Sequence, residues 1–148
     1  MAAIDRTRKI AATAAQIWDI LADFGALSGW VDGVDHSCIL TGDPATVGTT
    51  RRVQVGRNVL VERISEFDPQ VALGYDIEGL PKLLGKVGNR WSLAPTSGDR
   101  TLVTITSTVD VGPRLDQQLA ERVACRVLAR QSDGMLAGLA DRLENANV

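Results

Sequence analysis

The chain holds one histidine, His36. Imidazole titrates near neutrality, so this side chain can hold an acidic group or pass a proton. It can equally be a surface or satisfied core histidine. Glu62 is the second residue of chemical interest. Period-two alternation puts it on the same face as Leu60 and Ile64, an apolar row. A carboxylate there is costly unless it meets a cation, water or a ligand. Arg51 is a candidate partner, which would make the two a buried structural ion pair; a carboxylate facing a cavity is the other reading. Tyr75 offers a phenol within apolar surroundings, for a ligand or for core packing alone. Acid–base work on a carbonyl compound would use His36 as the proton carrier, with Glu62 or Tyr75 polarising the carbonyl.

Other chemistries lack their residues. Cys38 and Cys125 are far apart and fit no metal spacing, and a single histidine excludes a His-rich zinc site. Two buried thiols in a reducing compartment are expected. There is no phosphate loop, no paired-carboxylate signature and no nucleophile motif. Thr96-Ser97-Gly98-Asp99 is turn chemistry. The net charge of -2 provides no global field for nucleic acid or anionic membrane. No basic start precedes an apolar run at the N-terminus, and no segment approaches the roughly 20 apolar residues that span a bilayer. The expectation is a soluble cytoplasmic protein, monomer or homodimer, with no cofactor, no metal, no nucleic-acid partner and no membrane insertion.

The elements that position these residues follow from the hydrophobic pattern. The 148 residues suit one domain, and 45% hydrophobic residues suffice for a core. Ile4 to Ile10 reads as a strand. Thr13-Ala14-Ala15-Gln16 is a capping box, and Ile17, Leu21 and Phe24 follow on one helical face, ended by Gly25. Ala26 to Trp30 reads as a second short helix. From Val34 the period is two. Strands are predicted at 34–40, 49–55, 58–67, 71–79, 86–94 and 101–111, with Gly56-Arg57 as a tight hairpin turn. Leu80 to Gly85 carries Pro81 and two leucines without a strand signature, and suggests a mobile lid or an ordinary loop. Gly112-Pro113 opens a long final helix, Pro113 suiting its first turn. Ala124, Leu128, Ser132, Met135, Leu136, Leu139 and Leu143 share one face of it. Arg122, Arg126 and Arg130 fall opposite and read as a solvated row. Gly134 and Gly138 inside the helix permit close approach or a bend. One helix can cover such a sheet only if the sheet bends around it, which leaves space for an internal cavity.

Residues 15–24 (Ala-Gln-Ile-Trp-Asp-Ile-Leu-Ala-Asp-Phe), Trp30, Val47-Gly48-Thr49-Thr50-Arg51, Leu60-Val61-Glu62-Arg63-Ile64, Asp68 and Thr101-Leu102-Val103-Thr104-Ile105 occur in a recognisable order. With the terminal helix they make the whole chain resemble the START-like (SRPBCC) superfamily, nearest to the polyketide cyclase/dehydrase-type family. The resemblance implies an α+β helix-grip fold: a curved antiparallel sheet of about six or seven strands around a long C-terminal helix, with two short helices after the first strand. The plant abscisic-acid receptors are a distant branch. By that similarity His36 falls where a lysine meets the ligand's carboxylate, Glu62 on the glutamate of the receptors' Glu-Arg pair, and Tyr75 and Ile77 on apolar contacts. Ala124, Leu128 and Ser132 fall on helix contacts. The receptors' gate and latch are missing, replaced by Gly56-Arg57 and Leu80-Pro81-Lys82-Leu83-Leu84. The expected ligand-facing set is His36, Arg51, Val53, Leu60, Glu62, Ile64, Tyr75 and Ile77 on the strands, with Ala124, Leu128 and Ser132 on the helix.

Three functions compete. The first is binding or transport of a small hydrophobic molecule, a lipid, polyketide or aromatic metabolite, in an internal cavity. The second is a polyketide cyclase, aromatase or dehydratase using His36 and Glu62. The third is a protein-interaction or toxin-like module.

Overall fold

The computed structural model describes residues 1–145. Strand β1 (Ala2–Ile10) leads into helix α1 (Ala14–Ala22) and a 3-10 stretch at Phe24–Gly29. Strands β2 (His36–Thr41), β3 (Thr50–Val55), β4 (Asn58–Asp68) and β5 (Ala72–Glu78) follow. A 3-10 turn at Lys82–Leu84 precedes β6 (Lys86–Pro95), β7 (Thr101–Asp110) and helix α2 (Leu115–Glu144). All seven strands form one antiparallel sheet in the order β1-β7-β6-β5-β4-β3-β2. The last six are a meander, and β1 closes onto β7. Helix α2 lies against β1 and β7, while the Phe24–Gly29 stretch lies against β2 and β3. This is the helix-grip arrangement the sequence predicts.

Local chemistry explains the element boundaries. Thr13 Oγ1 accepts from the Gln16 amide at 3.2 Å, and Gln16 Oε1 accepts from the Thr13 amide at 2.9 Å, closing the capping box. Helix α1 ends at Ala22, three residues before Gly25. Gly25 is instead a point of close approach: a Cβ there would stand 2.9 Å from Ile39 Cγ1. Pro113 lies just outside α2, because Arg114 stays extended as the N-cap and Gln117 Oε1 accepts from its amide. On β7 the row Val103, Ile105, Ser107 and Val109 is buried, and the threonines between them face outward.

Helix α2 is rotated relative to the face expected from its large apolar residues. Cys125, Ala129, Ser132, Leu136, Leu139 and Leu143 are buried; Ala124 and Leu128 are half-buried at the margin. The small side chains of Cys125 and Ala129 let the helix come close to β1 and β7. The two helix glycines also differ. Gly134 has open space around it, whereas a Cβ on Gly138 would overlap the Trp30 carbonyl oxygen. Gly138→Ala is therefore expected to destabilise by about 1–3 kcal/mol through overpacking. Gly134→Ala is expected to stabilise by up to about 1 kcal/mol through helix propensity. Thermal melts of the two variants check this; shifts of the same sign would contradict it.

Candidate functional site

Three rungs of side chains cross β5, β6 and β7 on the face that meets α2. Ile77, Val87 and Val109 form the first, Tyr75, Asn89 and Ser107 the second, and Leu73, Trp91 and Ile105 the third. The second rung is a buried polar chain. Asn89 Nδ2 donates to the Tyr75 hydroxyl at 3.3 Å, and Trp91 Nε1 also reaches it at 3.4 Å. Ser107 Oγ donates to Asn89 Oδ1 at 2.7 Å and stands 3.4 Å from Ser132 Oγ on α2. Burial, with the Glu62 charge nearby, raises the Tyr75 phenol's pKa, so it remains protonated. No buried side-chain polar atom among the described residues lacks a partner.

Arg51 and Glu62 stand opposite each other on β3 and β4. Arg51 Nη2 and Nε lie 2.7 and 2.8 Å from Glu62 Oε1, and Nη1 donates to the Phe24 carbonyl at 3.0 Å. The guanidinium lies 3.7 Å from the Phe24 ring centroid and 4.8 Å from that of Tyr75. The Glu62 carboxylate thus meets a cation, and the pair joins β3 and β4 to the segment after α1.

Beyond the first rung an apolar groove opens to the surface, in place of the enclosed internal cavity the sequence suggests. A cavity of about 580 Å³ lies between the N-terminal half of α2, the 80–84 segment and Val87. Leu80 and Leu84 form one wall. Leu119, Val123 and Val127, with Ala124 and Leu128, form the other, and Asp116 and Gln131 stand on the helix at the margins. Gly79 (φ 98°) and Gly85 (φ 63°) bracket the 80–84 segment in the left-handed region that favours glycine. Glu121, 1% exposed, accepts from the Val111 amide at 2.7 Å and ties the end of β7 to this part of α2. That hydrogen bond, first among several causes, holds the Glu121 carboxyl below its usual range.

Of the sequence-predicted residues, Ala124 and Leu128 line the cavity, and Ile77 packs against the cluster at its base. Ser132 and Tyr75 belong to the polar chain behind it. Arg51 and Glu62 form the ion pair, while Val53 and Ile64 are core residues with Leu60 packed against them. His36 is exposed at the start of edge strand β2 and pairs in register with Gln54, away from the cavity. Sequence reasoning passed over Leu119, Val123 and Val127. Their signal was present: with Leu115 they recur every four residues, an apolar stripe beside the one chosen as the core face. They are 64%, 57% and 54% exposed, so an exposed apolar row marks the cavity mouth.

Seven antiparallel strands gripping a long terminal helix, with an apolar groove beside its first half, define a START-like (SRPBCC) protein. The chain belongs to the polyketide cyclase/dehydrase and lipid transport family, whose model matches residues 1–144. No curated protein sequence matches it. Among solved structures it is similar to the Zhui aromatase/cyclase from Streptomyces sp. R1128, with a TM-score of 0.80 at 19% identity over 99% of this chain and 96% of that one. A START superfamily protein from Mycobacterium smegmatis superposes with a TM-score of 0.74 at 20% identity, over 97% and 98% of the two chains. A protein from Thermobifida fusca gives 0.76 at 27% identity, over 96% and 93%. Membership places the chain in a family associated with ligand binding or polyketide processing. Among the described residues no helix is long and apolar enough to cross a membrane.

Proposed function

We propose that the protein binds a small hydrophobic molecule in the cavity between α2 and the 80–84 segment. The observation that carries this reading is the cavity's composition. Its volume lies within the range of small-molecule sites, and its walls are leucine, valine and alanine, with Asp116 as the one ionisable lining residue. Catalysis on a polyketide would need acid–base groups at the wall. Asp116 is exposed and held 3.3 Å from Arg114, and His36 lies elsewhere. Binding or transport is therefore the function favoured over turnover.

The test is a fluorescence titration with an uncharged apolar probe, N-phenylnaphthylamine. Ala124→Trp, which fills the cavity from a half-buried position, is expected to weaken binding at least ~10-fold while the melting temperature stays near wild type. No binding by wild type, or equal binding by the two proteins, would refute the reading.

A further inference from the structure

We infer that the outer face of α2 is an interface with a second copy of this chain, the two helices packing antiparallel about a two-fold axis at Val123. The pairing does not depend on what the groove binds.

That face is apolar where a solvent-facing helix is usually polar. Leu115, Leu119, Val123 and Val127 are 84%, 64%, 57% and 54% exposed. On its other side α2 buries Cys125, Ala129 and Ser132 and lies on β1 and β7. At about 100° per residue, Val123 points roughly away from that buried side. A contiguous exposed apolar row of this kind marks a contact with another molecule. Ala124 and Leu128, only half-buried, line the groove with Leu80 and Leu84. A partner seated at Val123 therefore covers the outer row and leaves that inner wall in place.

The charges identify what covers the row. Asp116 lies seven residues before Val123, and Arg130 lies seven after it. One heptad returns to within about 20° of the same line on a helix. Acid, valine and base thus share one seam, and all three are exposed. An antiparallel copy reverses that order. With Val123 at the axis, each Asp116 meets the second copy's Arg130, and symmetry makes the contact twice. Leu119 comes level with the second copy's Val127, and the small Ala120 with its Arg126. A parallel pair would instead oppose acid to acid and base to base. A slip of one heptad would set Asp116 or Arg130 against a valine.

Neither charge has a strong partner within the chain. Asp116 stands 3.3 Å from Arg114, but both side chains are more than two-thirds exposed, and such pairs contribute little. Arg130 makes no ion pair among the described residues. Both are free to exchange water for each other across the axis.

Sedimentation equilibrium from micromolar to millimolar concentration reads the association. One helix face is a small interface, so a dimer with a micromolar dissociation constant is expected. Val123→Glu brings two like charges together at the axis and is expected to weaken association at least ~100-fold. Asp116→Arg and Arg130→Asp each make both charge contacts repulsive, and each is expected to weaken it about 10-fold. The double exchange restores opposite charges, and its dissociation constant is expected within ~3-fold of wild type. Melting temperatures in dilute solution should stay near wild type, because all three positions are exposed. Should Val123→Glu fail to fold, the charge exchange decides alone. A wild type that stays monomeric, or that forms assemblies larger than two, would overturn the inference. So would a dimer indifferent to Val123→Glu, or a double exchange no tighter than its single variants. A monomer that sediments with phosphatidylglycerol vesicles would give the row to a membrane surface and overturn it equally.

Discussion

Replacing Glu62 with alanine is expected to destabilise the fold by about 3–5 kcal/mol, the range for stripping one partner from a buried ion pair. Arg51 is 3% exposed and Glu62 5%, so water cannot take the carboxylate's place without opening the sheet. The orphaned guanidinium would keep its bond to the Phe24 carbonyl and its contacts with two rings. Neither supplies a counter-charge. Removing both charges, as Arg51→Met with Glu62→Leu, is expected to restore most of the loss, because two apolar groups incur no desolvation penalty. Urea unfolding at neutral pH measures both variants. A Glu62→Ala loss below about 1 kcal/mol would mean the pair is solvated. Titration of the double variant with N-phenylnaphthylamine separates a structural pair from a ligand contact: the structural reading expects wild-type affinity.

Trp91→Ala is expected to cost about 3–5 kcal/mol, the usual range for deleting a large buried aromatic. Trp91 is 2% exposed and packs edge-to-face on Trp30 with ring centroids 5.9 Å apart. It joins the third rung of the sheet to the segment after α1, so its loss opens a void between them. It also removes one of the two donors to the Tyr75 hydroxyl. Trp91→Phe keeps most of the ring and drops that donor, and a loss of about 1 kcal/mol is expected from the hydrogen bond. Equal losses for the two variants would show that the hydrogen bond, not packing, holds this region together.

Much of the fold was legible because its signals are local. The capping box at Thr13, the Gly56-Arg57 hairpin and the Thr96-Ser97-Gly98-Asp99 turn each rest on residues a few positions apart. Period-two alternation placed the strands to within a few residues. The order of motifs carried the resemblance that joined these pieces into a helix-grip fold. The cavity wall was less legible. Leu119, Val123 and Val127 have the spacing of a core stripe, and so do Leu128, Leu136 and Leu139. A helical pattern alone does not say which of two adjacent apolar stripes meets the sheet.

By itself the sequence determined the strands, the helices and their antiparallel order. It also determined that Glu62 shares a strand face with Leu60 and Ile64, because strand geometry alternates side chains whatever lies opposite. Tertiary structure alone decided three further matters. It set the rotation of α2, since Cys125 and Ala129 are small enough to approach β1 and β7 while the valines are left at the mouth. It closed the Arg51–Glu62 pair against the Phe24 carbonyl and ring, contacts that the hairpin register at Gly56-Arg57 does not give. It left His36 outside on an edge strand, since a lone histidine carries no sign of which side of a sheet it will face. Each depends on a contact between residues distant in the chain, where shape and register, rather than local pattern, choose the partner.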